Sequence, residues 1–140
     1  MRKYEEGICY TIKIKKLIIK ENISLKKFNS FGIECSARYF SNFSSTEALT
    51  QLLYESTSLG KPPLLILGGG SNILFTKDFD GLVIRNEMTG IELVKEDTDY
   101  YYVKAADGEN WHSFVMHCIE NNYAGVENLS LIPGNVGASP

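Results

Sequence analysis

Three consecutive glycines followed by a serine and an asparagine, Gly68-Gly69-Gly70-Ser71-Asn72, are the residues of this chain best suited to binding chemistry. Glycine tolerates a positive φ and carries no β-carbon, so a backbone built from it can close round an anion. Successive N–H groups in such a turn form a concave nest, a common main-chain grip on phosphate. The Ser71 hydroxyl and the Asn72 carboxamide add donors at the same spot. A mononucleotide loop would need lysine after the last glycine, and none is there. The dinucleotide fingerprint would need a third glycine where Ile73 stands, with a helix after it. Ile73-Leu74-Phe75 and Gly81-Leu82-Val83-Ile84-Arg85 instead read as strands, so the loop is expected to join strand to strand. The competing reading is a glycine-rich hairpin turn that binds nothing; the Ser-Asn continuation and the apolar flanks weigh against it.

Other chemistry-bearing residues are sparse. His112 and His117, with no paired cysteines, give no metal site. Cys9, Cys35 and Cys118 are odd in number and scattered, which suits free thiols in a reducing cytoplasm. Trp111, Phe114, Val115, Cys118 and Ile119 recur at helical spacing, so Trp111 and Cys118 are expected in a core, with both histidines solvated outside the stripe.

Charge narrows the partners. The formal net charge of −3 is unevenly spread: residues 1–27 hold eight of the 14 basic residues and three acids, leaving six basic and 14 acidic residues in 28–140. So acidic a body makes no nucleic-acid partner, because such affinity rests on neutralising phosphates. Any phosphate it holds must be held by local donors. The basic start has the charge of a nucleic-acid or membrane arm, but the preferred reading is a solvated strand, since Ile12-Lys13-Ile14-Lys15 alternates in period two. No apolar stretch approaches the ~20 residues that span a bilayer, and the start lacks a signal-peptide core; a cytoplasmic protein with no membrane partner is expected.

The elements that must position the glycine loop follow from pattern. Asn29-Ser30-Phe31-Gly32 is a polar turn, and Ala37 to Phe43 a strand. Ser44 and Glu47 have capping-box spacing ahead of Ala48, Leu49, Leu52 and Leu53, a helix ended by Gly60, Pro62 and Pro63. Strand Leu64 to Leu67, the loop, and strand Leu82 to Arg85 complete a β-α-β-β unit. A second unit begins near Asn86, with an antiparallel pair, Ile91 to Lys95 and Tyr100 to Ala106, and then the helix around Trp111. The last stretch, Gly125 to Pro140, is again punctuated by Gly and Pro, yet Leu129, Leu131, Ile132 and Val136 ask for burial.

Four motifs together resemble the UDP-N-acetylenolpyruvoylglucosamine reductase (UDP-N-acetylmuramate dehydrogenase) family: Asn29-Ser30-Phe31-Gly32-Ile33, Leu67-Gly68-Gly69-Gly70-Ser71-Asn72, Gly108 with Trp111, and Gly125 to Pro140 with Leu131-Ile132-Pro133-Gly134. They stand in the family's order from about Ile18 onward; Asn29-Ser30 replaces the usual Asn-Thr, and residues 1–17 match nothing. The resemblance implies an α+β fold made of two small α+β subdomains of the FAD-binding vanillyl-alcohol-oxidase/p-cresol-methylhydroxylase type. These would be 18–86 and 87–140, the second truncated, with 1–17 an extension.

It further implies FAD as cofactor, NADPH as reductant and co-substrate, and a UDP-sugar enolpyruvyl ether as the small-molecule substrate. The product is UDP-N-acetylmuramate for peptidoglycan synthesis, made by an enzyme that is a monomer when full length. Gly68, Gly69, Gly70, Ser71 and Asn72 would line the FAD pyrophosphate. Ile132, Pro133, Gly134, Gly137, Ala138 and Ser139 would approach the flavin and adenine nucleotide from the second subdomain. The family's catalytic arginine, proton donor and glutamate fall beyond Pro140, so no catalytic residue is assigned; Arg85 and Glu127 match only structural neighbourhoods. The leading expectation is an N-terminal fragment of such a reductase, inactive alone. The alternatives are a stand-alone non-catalytic flavin- or nucleotide-binding module and another FAD oxidoreductase of the superfamily, the last opposed by the Ile-Pro-Gly motif.

Overall fold

A computed structural model describes residues 18–139; the period-two segment 12–15, Cys9, the rest of the extension and Pro140 lie outside the described residues. Strands β1 (Lys20–Ser24), β2 (Ser36–Phe43), β3 (Leu64–Leu67) and β4 (Phe79–Asn86) form one sheet in the order β1-β2-β4-β3. β1 runs antiparallel to β2, whereas β4 is parallel to both β2 and β3. Helix α1 (Thr46–Ser56) makes the β2-to-β3 crossover.

The near-continuous apolar run of β4 is explained by cover on both faces, as in parallel sheets generally. Successive side chains point to opposite faces. Val83 packs with Leu25, Cys35, Ala37, Phe40, Leu67 and Phe75 on one side; Leu82 and Ile84 meet Phe43 and Leu52 of α1 on the other. Each such fully buried aliphatic residue is worth roughly 1.5–3 kcal/mol.

Three expectations are corrected. Ser45, not Ser44, caps α1: its hydroxyl accepts from the Ala48 N–H at 3.2 Å. Leu53 is exposed, whereas Leu52 is buried against the sheet with Ala48 and Leu49 packed beside it. Residues 73–75 are not a strand. β3 and β4 are parallel neighbours, so residues 68–78 must carry the chain back across the sheet, and Phe75 is buried on the way as a core plug. The hairpin-turn reading of the glycine loop fails for the same reason, since a tight hairpin joins antiparallel strands only.

Beyond residue 86 the chain forms the antiparallel pair β5 (Ile91–Glu96) and β6 (Tyr101–Ala105), then α2 (Trp111–Glu120). Asp97 builds the β5–β6 turn by accepting from the N–H groups of Asp99 and Tyr100 at 3.1 and 2.9 Å. The Asn110 side chain caps α2 through the Ser113 N–H at 3.0 Å. Trp111, Val115 and Cys118 are buried as expected, and Cys35 and Cys118 are free thiols. Neither histidine is simply solvated: both are half-buried, His112 with Nδ1 2.9 Å from the Ser130 hydroxyl and His117 beside the Tyr123 ring.

Candidate dinucleotide cleft

β3 delivers the glycine loop at its C-terminal end, where open sheets with parallel strands bind ligands. Of the three glycines only Gly70 has a positive φ, +69°. Its carbonyl accepts from the Ser30 N–H at 3.0 Å, and a β-carbon there would run into the Phe28 carbonyl oxygen. That carbonyl is held in place by Asn29, a residue at 6% exposure whose carboxamide knots the turn. Asn29 Nδ2 donates to the carbonyls of Leu25 and Ile33 at 2.9 and 3.1 Å, and Oδ1 accepts from the Ile33 N–H at 3.0 Å. The Asn29-to-Ile33 motif therefore buttresses the glycine loop.

The second wall of the cleft is residues 134–138, clipped to the start of α2. The N–H of Trp111 donates to the Gly134 carbonyl at 3.0 Å, that of Val136 to the Glu109 carbonyl at 2.8 Å, and that of Gly137 to the Asp107 carbonyl at 3.0 Å. Trp111 Nε1 donates to the Leu129 carbonyl at 2.7 Å, holding the approach to this loop.

Between the walls lies a cavity of about 290 Å³ lined by both loops. Gly68, Gly69, Gly70, Ser71 and Asn72 come together there with Gly134 and Ala138; Ile66, Ile73 and neighbours give an apolar flank. Ile132, Pro133, Gly137 and Ser139 do not line it: the Gly137 N–H is committed to Asp107, and the Ser139 hydroxyl donates to the Val136 carbonyl at 2.8 Å. Asn135 lines the cavity, and sequence reasoning passed over it; its place in the second glycine-punctuated loop, mirroring Asn72 in the first, was the available signal.

Among the described residues, no backbone or side-chain group accepts from the N–H groups of Gly69, Gly70, Ser71 or Asn72. No charged residue lines the cavity. Arg85 is occupied elsewhere, 2.9 Å from Glu87 Oε1 and over the Phe28 ring. Glu127 accepts from the Gly125 N–H at 2.8 Å, and backbone hydrogen bonds, its own N–H first, hold its carboxyl below the usual range. The cleft thus offers unpaired neutral donors beside an apolar wall, which suits the phosphates and ring of a dinucleotide.

Comparison with known proteins agrees with this chemistry. Over 122 residues the chain is 53% identical to a UDP-N-acetylenolpyruvoylglucosamine reductase of Amoebophilus asiaticus, covering 87% of this chain and 36% of that protein. It is 50% identical over 122 residues to the reductase of that name from Flavobacterium johnsoniae, covering 35% of it. The chain therefore spans about a third of the length of these curated relatives. The crystal structure of a UDP-N-acetylenolpyruvylglucosamine reductase from Thermus caldophilus shares the fold, with a TM-score of 0.61 at 23% identity over 87% of this chain and 41% of that one. The family model described as "FAD binding domain" matches residues 41–140, the greater part of the sequence and all of the cleft's first wall. With both loops inside that match, the chain belongs to the FAD binding domain family.

Proposed function

We propose that this chain is the FAD-binding portion of a UDP-N-acetylenolpyruvoylglucosamine reductase, with 18–86 and 87–140 as the two subdomains that clasp the cofactor and 1–17 as an extension. The observation that carries the reading is that Gly69, Gly70, Ser71 and Asn72, whose N–H groups have no acceptor among the described residues, line a cavity shared with a second glycine-containing loop. These residues, with Gly68, would hold the FAD pyrophosphate through neutral hydrogen bonds. Gly134 and Ala138 would face it from the second subdomain, with Ile132, Pro133, Gly137 and Ser139 supporting their loop and meeting the more distant parts of the cofactor. The apolar flank of Ile66 and Ile73 would exclude water from the adjoining ring.

FAD, when bound, supplies two-electron chemistry between NADPH and the enolpyruvyl ether of a UDP-sugar, giving UDP-N-acetylmuramate for cell-wall synthesis. On the family resemblance, the groups that meet that substrate's diphosphate and carboxylate would come from further chain. The reaction belongs in the cytoplasm, in a monomeric enzyme without nucleic-acid or membrane partners. Among the described residues no helix is long and apolar enough to cross a membrane.

The test is a chimera in which this chain replaces the matching third of the Amoebophilus asiaticus relative. It should purify yellow and oxidise NADPH only when the UDP-sugar enol ether is present, while the 140-residue chain alone shows no such turnover. A folded but colourless and inactive chimera would overturn the proposal.

A further inference from the structure

The three glycines of the first loop lack side chains for different reasons. Gly70 is confined by its positive φ and by Phe28. A β-carbon on Gly68 would meet Asn135 Nδ2 at 3.8 Å and its Cγ at 4.0 Å, both ordinary contacts. Gly69 has no positive φ, so the left-handed backbone that confines Gly70 is not what keeps it glycine. Yet a β-carbon there would stand 2.8 Å from Asn135 Oδ1 and 3.6 Å from the Gly134 Cα. Nothing but the second loop obstructs it.

The obstruction cannot swing aside freely. Asn135 Nδ2 donates to the Gly108 carbonyl at 3.0 Å, and the backbone on either side is fixed by the Trp111–Gly134 and Val136–Glu109 hydrogen bonds at 3.0 and 2.8 Å. Residue 135 is also bridged to Asn110, at the cap of α2. Its carboxamide is thus held out from the second wall with Oδ1 facing the first. Ser71 Oγ also faces the second loop, 3.2 Å from where a Gly134 β-carbon would stand.

We propose that Gly69 is glycine to admit the Asn135 carboxamide, and that Asn135 is the positioning residue that sets the spacing of the two loops round the dinucleotide. The positioning claim rests on the FAD reading above. Lack of a side chain at 69 is then a fit between protein and protein, not room cleared for the ligand. An alanine at 69 pushes the loops apart or forces Asn135 off the Gly108 carbonyl; with the carboxamide removed, that alanine has space.

A double-mutant cycle on the 140-residue chain tests this, reading both the FAD dissociation constant, from quenching of flavin fluorescence, and the melting temperature without FAD. Gly69→Ala should weaken FAD binding about tenfold, the scale expected of overpacking by one methyl group. Asn135→Ala should also weaken it, by loosening the spacing. The double variant should bind within about threefold of Asn135→Ala alone, the single penalties failing to add because the residues touch. The melting temperatures should show the same rescue. A merely structural Asn135 would move the melting temperatures without rescuing affinity. Additive or worse FAD affinity in the double variant would overturn the positioning claim, and loss of rescue in the melting cycle would overturn the fit itself. Failure of the unmodified chain to bind FAD would instead sink the cofactor reading and the positioning claim together, leaving the melting cycle to judge the fit.

Discussion

The indole Nε1–H of Trp111 donates to the carbonyl oxygen of Leu129 at 2.7 Å, tying the first turn of α2 to the loop that forms the second wall of the cleft. Trp111 is 8% exposed and packs at a tilt against Phe114, so one side chain serves the local core and the distant loop. Trp111→Phe keeps most of the apolar volume but leaves the Leu129 carbonyl without its partner. A loss of about 1–2 kcal/mol of stability is expected, with faster amide exchange across residues 125–139 than across β2 and β4. Uniform protection in both regions would contradict this link.

Gly70 and Gly60 both have a positive φ, +69° and +83°, but only Gly70 is hemmed in. Gly60→Ala meets open space and should cost only the left-handed backbone penalty, roughly 1–2 kcal/mol. Gly70→Ala adds a collision with the Phe28 carbonyl and should cost roughly 2–5 kcal/mol in total. Urea midpoints of the two variants decide the ordering; equal losses would show that the Phe28–Gly70 contact is not tight.

Much of this arrangement was legible in the sequence. β3 falls on Leu64 to Leu67 as read from its apolar run, and the two loops that line the cleft were both singled out by their glycines. What the pattern could not give is pairing direction. Ile73-Leu74-Phe75 has strand composition, yet the parallel pairing of β3 and β4 turns it into a crossover with Phe75 buried. Asn135 escaped notice for a related reason: its importance comes from standing opposite Gly69, 66 positions away, and no local periodicity records such a meeting. His112 looked solvated because helical spacing describes one face of α2 only, while Ser130 arrives from outside it. Leu129 and Leu131 are exposed, at 39% and 77%, although their apolar character asks for burial.

Burial is the main cause raising the thiol pKa of both Cys35 and Cys118, with Asp78 and Glu34 adding to the first and Glu127 to the second. A raised folded value favours the neutral thiol. The contribution to stability is present below the unfolded thiol value of about 8.5 and is lost as pH rises through the folded values. Alkylation mapped by mass spectrometry should be slow at Cys35 and Cys118 at pH 8 and rapid in denaturant, and the melting temperature should fall above pH 9. Fast labelling of either residue in the native chain at pH 8 would contradict the packing.

The carboxyls of Glu34, Glu47, Asp97 and Glu127 are all held below their usual values, chiefly by hydrogen bonds: Ser24 for Glu34, backbone N–H groups for the other three. Depressed values stabilise the fold above the unfolded carboxylate range near about 4, and that stability is lost as pH falls through the folded values. The melting temperature should therefore drop steadily below about pH 4.5. These groups are exposed, so each effect is small, and a flat acid limb would show that none of the four is tied in the native state.

With no charged residue lining the cleft, FAD binding by this chain should depend little on ionic strength. Dissociation constants measured between 50 mM and 500 mM salt should agree within about threefold. A steep loss of affinity with salt would mean that a cation outside the cleft holds the phosphates.

The proposed meeting of the two loops round the dinucleotide is open to direct measurement. Nitrogen-15 labelled chain titrated with FAD, and separately with ADP, reads this residue by residue. Both ligands should shift the amides of residues 68–72 and 134–138, while β1 and the β5–β6 hairpin stay still. Saturable shifts confined to other residues, or none at millimolar ligand, would contradict the account.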